Sequence, residues 1–265
     1  MWESLILGAA QGIVEWLPLS SEGVIFLIKA NFFPGSGVEE ILKQALFLHF
    51  GTFLAALVYF RKEVSHLVRT LFKYPQENLA NRKLLHFLIV TTIISGILGY
   101  FLYELTQKIP AENMTAQAIT LVVGFLLLMT ACVQFRAQKL EKKDFRDYTR
   151  INKFDNILLG LAQGAAAFPG LSRSGLTVSA LLLRRFEEQT ALKMSFLMSL
   201  PLVLAGNILL NLEKFNLSPE NLLALGASFI FGLLTIKFLL KLAKKMNFAV
   251  FVLIFGLLTI AAAFI

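Results

Sequence analysis

Apolar residues run through this chain in long blocks, separated by short stretches that are mostly basic. Six blocks, roughly Ile41–Phe60, Leu84–Tyr103, Ala116–Phe135, Ala191–Leu212, Leu222–Leu240 and Phe248–Ile265, each approach the ~20 residues that cross about 30 Å of hydrocarbon. Two further blocks are interrupted. Leu5–Phe33 is cut by Pro18, Ser20, Ser21 and Gly23, and Ile157–Leu183 by Pro169, Gly170, Ser172, Arg173 and Gly175. About a dozen residues remain on each side of a break, enough for half a bilayer. Non-helical backbone at membrane depth survives only where protein or a water-filled cavity satisfies its polar groups. Both blocks therefore read as re-entrant helical hairpins. The expected fold is an all-α integral membrane protein, with six transmembrane helices and two re-entrant hairpins.

The two interrupted blocks repeat one phrase at an offset of 152 residues. Leu7, Gly8, Ala10, Gln11, Gly12, Leu19, Ser20 and Gly23 each meet an identical partner in Leu159, Gly160, Ala162, Gln163, Gly164, Leu171, Ser172 and Gly175. Each repeat is one hairpin plus three spans. The odd number of crossings inverts the second copy, so the two hairpin tips can meet near the midplane. The expected organisation is a single membrane domain over residues 1–265, with repeat one at 1–136, repeat two at 153–265 and a basic cytoplasmic linker at 137–152. Gly8-x-x-x-Gly12 and Gly160-x-x-x-Gly164 suit close helix packing.

Charge fixes the orientation. The chain is 57% hydrophobic and only 16% charged, with a net charge of +8. Its basic residues cluster between apolar blocks, as topology demands, so a nucleic-acid partner is not expected. Arg61–Lys83, Arg136–Lys153, Arg184–Lys193 and Lys241–Lys245 hold 19 of the 25, and the alternate loops hold only Lys108 and Lys214. With two hairpins, all four clusters share one face, which is then cytoplasmic, and both termini lie outside. The N-terminus Met1-Trp2-Glu3-Ser4 has no basic leader region, and no cleavage is expected. The single cysteine, Cys132, excludes an internal disulfide and receives no role.

The breaks carry the chemistry. Gln11 and Glu15, four residues apart, share a helix face pointing at the first break. A carboxylate in a membrane costs several kcal/mol unless it is hydrated, paired or metal-bound. Arg173 stands among small residues in the second break, and its planar fork can grip phosphate oxygens. Ser20, Ser21, Ser172 and Ser174 add hydroxyls. Half-helices beginning after Gly23 and Gly175 are expected to aim N–H groups at the same spot, where anions are favoured. The sum is an anion cradle suited to a phosphorylated substrate. His49 lines the cavity or serves as a hydrogen-bonded packing residue of its span. Lys29 can snorkel to the outer interface.

These residues have a familiar arrangement. Gln11-Gly12-Ile13-Val14-Glu15 with Pro18-Leu19-Ser20-Ser21-Glu22-Gly23 resembles the Glu/Gln-x-x-x-Glu and Pro-x-Ser-Ser-x-Gly signature of the undecaprenyl-diphosphate phosphatases, the bacitracin-resistance family. Phe168-Pro169-Gly170-Leu171-Ser172-Arg173-Ser174-Gly175 resembles that family's Pro-Gly-x-Ser-Arg-Ser-Gly motif. Phe50–Lys62 and Ser195–Pro201 are similar to two of its helices. The resemblance implies hydrolysis of a C55 polyprenyl diphosphate to the monophosphate at the outer face of the plasma (inner) membrane, aided by a divalent cation. It carries over Gln11, Glu15, Ser21, Arg173 and Ser174 as site residues. One departure stands out: the family commonly has His three residues after the second Ser, where this chain has Val24.

On this basis Glu15, Ser21 and Arg173 are the expected catalytic residues. Gln11, Ser20, Gly170, Ser172, Ser174 and Gly175 are expected to bind substrate. Glu15 with Gln11, joined by Glu22, would hold Mg²⁺ or Ca²⁺, both oxygen-preferring cations. The nucleophile is Ser21 activated by Glu15, or a metal-bound water. The expected partners are the polyprenyl diphosphate and membrane lipid, with room for a homodimer. The same architecture also suits a lipid-phosphate transporter or flippase.

Overall fold

The computed structural model describes every residue except 18, 34, 108–115, 139–145, 169–170, 212–217, 243–246 and 265. Pro18, Pro169 and Gly170, and much of the expected linker, lie outside the described residues. Among those described, the chain is all-helical. In order come α1 (Trp2–Val14), α2 (Ser21–Phe32), α3 (Val38–Tyr59), α4 (Arg61–Phe72), α5 (Leu79–Gln107), α6 (Ala116–Gln138), α7 (Lys153–Ala165), α8 (Arg173–Leu183), α9 (Glu188–Asn211), α10 (Pro219–Leu242) and α11 (Phe248–Ala262). Four contain a stretch long and apolar enough to cross a membrane: Glu40–Tyr59, Leu79–Leu105, Gln189–Leu209 and Pro219–Lys241. The other two expected blocks are helical as well, with shorter apolar stretches at Thr120–Arg136 and Val252–Ala261.

Both interrupted blocks form a pair of short helices. α1 and α2 touch each other, and so do α7 and α8. Their packing partners correspond. α1 lies along α10, and α7 lies along α5. Lipid offers no hydrophobic drive between helices, so close van der Waals approach has to hold them. The glycines permit that approach. A Cβ on Gly8 would stand 2.2 Å from the Ala224 carbonyl oxygen, and one on Gly12 would stand 2.7 Å from the Gly232 nitrogen. On α7, a Cβ on Gly160 would meet Ile94 at 2.7 Å, and one on Gly164 would meet Leu98 at 2.9 Å. Gly8→Ala should therefore destabilise the protein by roughly 1–3 kcal/mol through overpacking. Gly226→Ala, with nothing within 4 Å of the added carbon, serves as the control, and thermal melting in detergent compares them.

Two apolar cores flank the breaks. One gathers Trp16, Phe53, Phe87, Phe186, Phe196 and Met198; the other gathers Leu7, Phe26, Leu48, Leu127 and Val252. Val14 belongs to the second and Trp16 to the first, so Glu15 lies on the seam between them. At the far end of α7 a buried carboxylate ties the second hairpin together. Asp155 takes Arg146 Nη2 and Arg184 Nε at 2.6 Å each.

Two sequence expectations change here. The basic stretch after α3 reads as a loop, yet Arg61–Phe72 is helical. Val64 and Leu67 turn towards the core while Arg61, Lys62 and Arg69 face outward. Glu63 holds Lys193 Nζ at 2.8 Å, which fastens this helix to α9. Lys29 does not snorkel. Its side chain is buried, and Nζ donates to Glu3 Oε1 at 2.6 Å, because a partner on the neighbouring helix removes the need to reach for water.

Candidate active site at the paired helix breaks

The last turn of α1 presents the carboxylate. Glu15 still carries helical dihedrals, and its N–H donates to the Gln11 carbonyl at 3.0 Å. The i, i+4 spacing brings their side chains together: Gln11 Nε2 donates to Glu15 Oε2 at 2.8 Å. Ser21, the first residue of α2, donates its hydroxyl to the same oxygen at 2.7 Å. Across the two hairpins, Arg173 Nη2 binds the other oxygen, Oε1. These groups are 158 positions apart in sequence (173 − 15). Glu15 is 5% exposed, so nearly all of its solvation comes from these donors. A carboxylate so buried is tolerable only because it is paired and hydrogen-bonded.

Arg173 is itself braced. Its guanidinium lies 6.0 Å from the Trp16 ring centroid, and Nη1 donates to the Ser195 carbonyl at 3.4 Å. The Ser195 hydroxyl meets Thr177 Oγ1 at 2.6 Å, and Phe196 packs edge-on against Trp16 with centroids 4.9 Å apart. Trp16, Thr177 and Ser195 escaped the sequence reading; the Ser195–Pro201 stretch held the signal, since it lies in one of the resembling segments.

The serines divide by task. Ser20 and Ser172 are helix N-caps, and each hydroxyl accepts the N–H three residues on, Gly23 or Gly175, at 3.0 Å. The same cap, with the same bond, therefore begins α2 and α8. These helices start at Ser21 and Arg173, three residues earlier than expected, because serine is a strong N-cap. The Gly23 and Gly175 N–H groups consequently serve the caps. Gly175 is also a close-contact point, where a Cβ would lie 2.8 Å from Thr130. Ser174 joins the hairpins, donating to the Leu17 carbonyl at 2.5 Å. Gly170 lies outside the described residues.

His49 enters from α3. Its Nδ1–H donates to the Ala45 carbonyl at 2.7 Å, while Nε2 lies 3.0 Å from Glu15 Oε2 and 3.4 Å from Ser21 Oγ. An imidazole absent at position 24 is thus present from another helix. The sequence left open whether this histidine lines the cavity or is a hydrogen-bonded packing residue, since its direction depends on how α3 and α1 pack; it does both, through Nε2 and Nδ1.

Two spaces adjoin these groups. A small polar pocket of about 30 Å³ is lined by Glu15, Ser20, Ser21, Glu22, His49, Arg173 and Ser174, with Leu19, Ala166 and Leu171. A larger apolar cavity of about 180 Å³ runs past Leu42, Leu46, Tyr100, Tyr103, Val203 and Leu209. The two share Glu22, His49, Ala166 and Arg173. Arg173, a cation able to hold an anion, thus lines both a polar pocket and an apolar cavity.

The family model described as "Bacitracin resistance protein BacA" matches residues 4–261. An undecaprenyl-diphosphatase of Methanococcoides burtonii is 38% identical, over 99% of this chain and 98% of its own. One from Methanothrix thermoacetophila is 36% identical over 98% and 95%, and one from Thermosipho africanus 33% over 98% of each. Matched almost from end to end, this chain belongs to the bacitracin-resistance (BacA) family.

Proposed function

We infer that the protein is an undecaprenyl-diphosphatase. It hydrolyses undecaprenyl diphosphate to undecaprenyl phosphate and inorganic phosphate, recycling the lipid carrier of cell-envelope glycan synthesis and conferring bacitracin resistance. The observation that carries this reading is the Glu15–Arg173 pair, which joins the two hairpins, with Arg173 also lining an apolar cavity. The polar pocket suits the terminal phosphoryl group, and the cavity suits the start of the polyprenyl chain. Arg173 with Ser174 would hold the phosphate oxygens and stabilise charge in the transition state.

Ser21 is our assignment for the nucleophile. Its hydroxyl already donates to Glu15 Oε2, the geometry of a base-activated serine. As Ser21 Oγ bonds to the terminal phosphorus, its proton passes to Glu15 and the bridging P–O bond breaks. Undecaprenyl phosphate leaves with the bond's electron pair and takes up the proton from Glu15, restoring the carboxylate. Water then hydrolyses the phosphoserine, releasing inorganic phosphate and restoring the Ser21 hydroxyl.

A divalent cation fits the donor set. Among the described residues, no three His, Cys, Asp or Glu side chains form a metal-binding group. Mg²⁺, however, commonly takes only one or two carboxylates and completes its shell with phosphate oxygens. Gln11 Oε1 and Glu22 Oε2 are buried acceptors without a hydrogen-bond partner. With Glu15, they would hold a Mg²⁺ or Ca²⁺ that arrives with the diphosphate. Such a cation neutralises phosphate charge when bound.

The finer architecture follows the same reading. We propose six spans with two re-entrant hairpins in an inverted repeat, set in the plasma (inner) membrane, with the site opening outward and both termini outside. The matched packing of α1 on α10 and of α7 on α5 and the identical serine caps support the repeat. The test is phosphate release from undecaprenyl diphosphate in detergent, run with EDTA and with added Mg²⁺ or Ca²⁺. Release is expected, falling about tenfold or more in EDTA and returning with either cation. A lipid transporter or flippase would release none, and that result would overturn the assignment.

A further inference from the structure

We propose that His49 is a positioning residue of this site, fixing from α3 the carboxylate edge of Glu15 that takes the Ser21 proton. The proposal rests on the diphosphatase reading and adds a third helix to its machinery.

Glu15 has two edges with different tasks. Oε1 belongs to Arg173, which would bind phosphate; Oε2 faces Ser21. A turn of the carboxyl group would exchange them. Among the described residues, three donors hold Oε2: Gln11, Ser21 and His49, the last as an imidazolium, because its Nδ1–H is already given to Ala45. Gln11 is on the same helix, one turn back, and moves with Glu15. Ser21 is the reacting group itself, and its hydrogen leaves during the step. Only His49 holds this edge from outside the first hairpin and through the whole reaction.

The rest of the fold sets where His49 stands. Its 9% exposure puts the ring inside the protein, and the Ala45 carbonyl fixes Nδ1, so Nε2 is the nitrogen left to face the site. Ser228 on α10 donates to the Leu48 carbonyl at 2.8 Å. A Cβ on Gly51 would lie 2.7 Å from Ser228 Cβ, so α3 is pressed against α10 at this turn. α1 is pressed against the same helix through Gly8 and Gly12. α10 is therefore the common support that sets the separation of His49 and Glu15. Misplacement of a reacting group by about 1 Å can cost ~10²-fold in rate, which is the effect expected when this hold is lost.

Two amides separate the ring's nitrogens. In His49→Gln the amide nitrogen takes roughly the place of Nε2 and can donate to Glu15. In His49→Asn it takes roughly the place of Nδ1 and serves only Ala45. Phosphate release from undecaprenyl diphosphate is measured for both, with kcat and KM resolved. The glutamine variant should keep kcat within about fivefold of the parent. The asparagine variant should lose about 10²-fold in kcat, and KM should stay within about threefold in both. A purely structural bond to Ala45 predicts the reverse order. Equal kcat values for the two variants, or the reverse order, would overturn the proposal. A parent protein that releases no phosphate would instead sink the diphosphatase reading itself.

Discussion

Arg173→Ala is expected to lower phosphate release by at least about 10³-fold while the protein stays folded. Losing one preorganised donor to a developing oxyanion costs ~10²–10³ in kcat, and Arg173 brings a full charge with several donors. The guanidinium is held at three points: the Glu15 carboxylate, the Ser195 carbonyl and the Trp16 ring. Arg173→Lys keeps the charge but loses the fork and the flat face, so it should recover little activity. The fold should survive because Glu15 keeps Gln11, Ser21 and His49 as donors. Turnover and thermal melting measured on the same detergent preparation decide the matter. An alanine variant within tenfold of the parent would remove Arg173 from the chemistry.

Glu15→Gln should be as damaging to turnover and worse for stability. The change is nearly isosteric, so packing around residue 15 is preserved. The donors around it are the difficulty. Gln11, Ser21, His49 and Arg173 all converge on two oxygens. An amide offers one oxygen and turns an NH₂ group towards the remaining donors. It also leaves the Arg173 charge, only 14% exposed, without its counter-ion. Removing one partner of a buried ion pair costs about 3–5 kcal/mol. We expect a loss of stability of that size, read as a lowered melting temperature, together with at least a 10³-fold loss of phosphate release, because the proton acceptor for Ser21 has gone. The double variant Glu15→Gln/Arg173→Gln should be more stable than Glu15→Gln alone, since contacting residues do not add. A stable, active Glu15→Gln protein would show that another group does the work assigned to this carboxylate.

The framework of the site was legible in the sequence because interrupted apolar blocks have few physical explanations. Proline, serine and glycine inside a would-be span have to face protein or a cavity, and the repeat placed two such interruptions in relation to each other. The Gln11–Glu15 contact followed from helical periodicity, and Arg173 stood out as a charge where charge is costly. What sequence concealed depends on three-dimensional direction. His49 was read as lining the cavity or as a hydrogen-bonded packing residue of its span, and the seating of α3 on α10 makes it both. Lys29 was read as reaching outward, although Glu3 was in range across the first hairpin. The stretch Arg61–Phe72 was read as a loop for its basic charge, although Val64, Leu67, Val68 and Leu71 fall at helical spacing; Val64 and Leu67 pack against the core.

The partners of α1 and α7 carry a consequence for how the protein is made. α1 is synthesised well before the helix that receives its glycines: α10 starts at Pro219, more than two hundred residues later in the chain. During translation the opening hairpin must wait in the bilayer with its closest neighbour still unmade. Meanwhile α5, from the first half, is ready to receive α7 as soon as it emerges. Neither half of the polypeptide can finish its own assembly in isolation. A late helix thus completes an early one, and the Glu15 end of the site gains its full support only once α10 has been made.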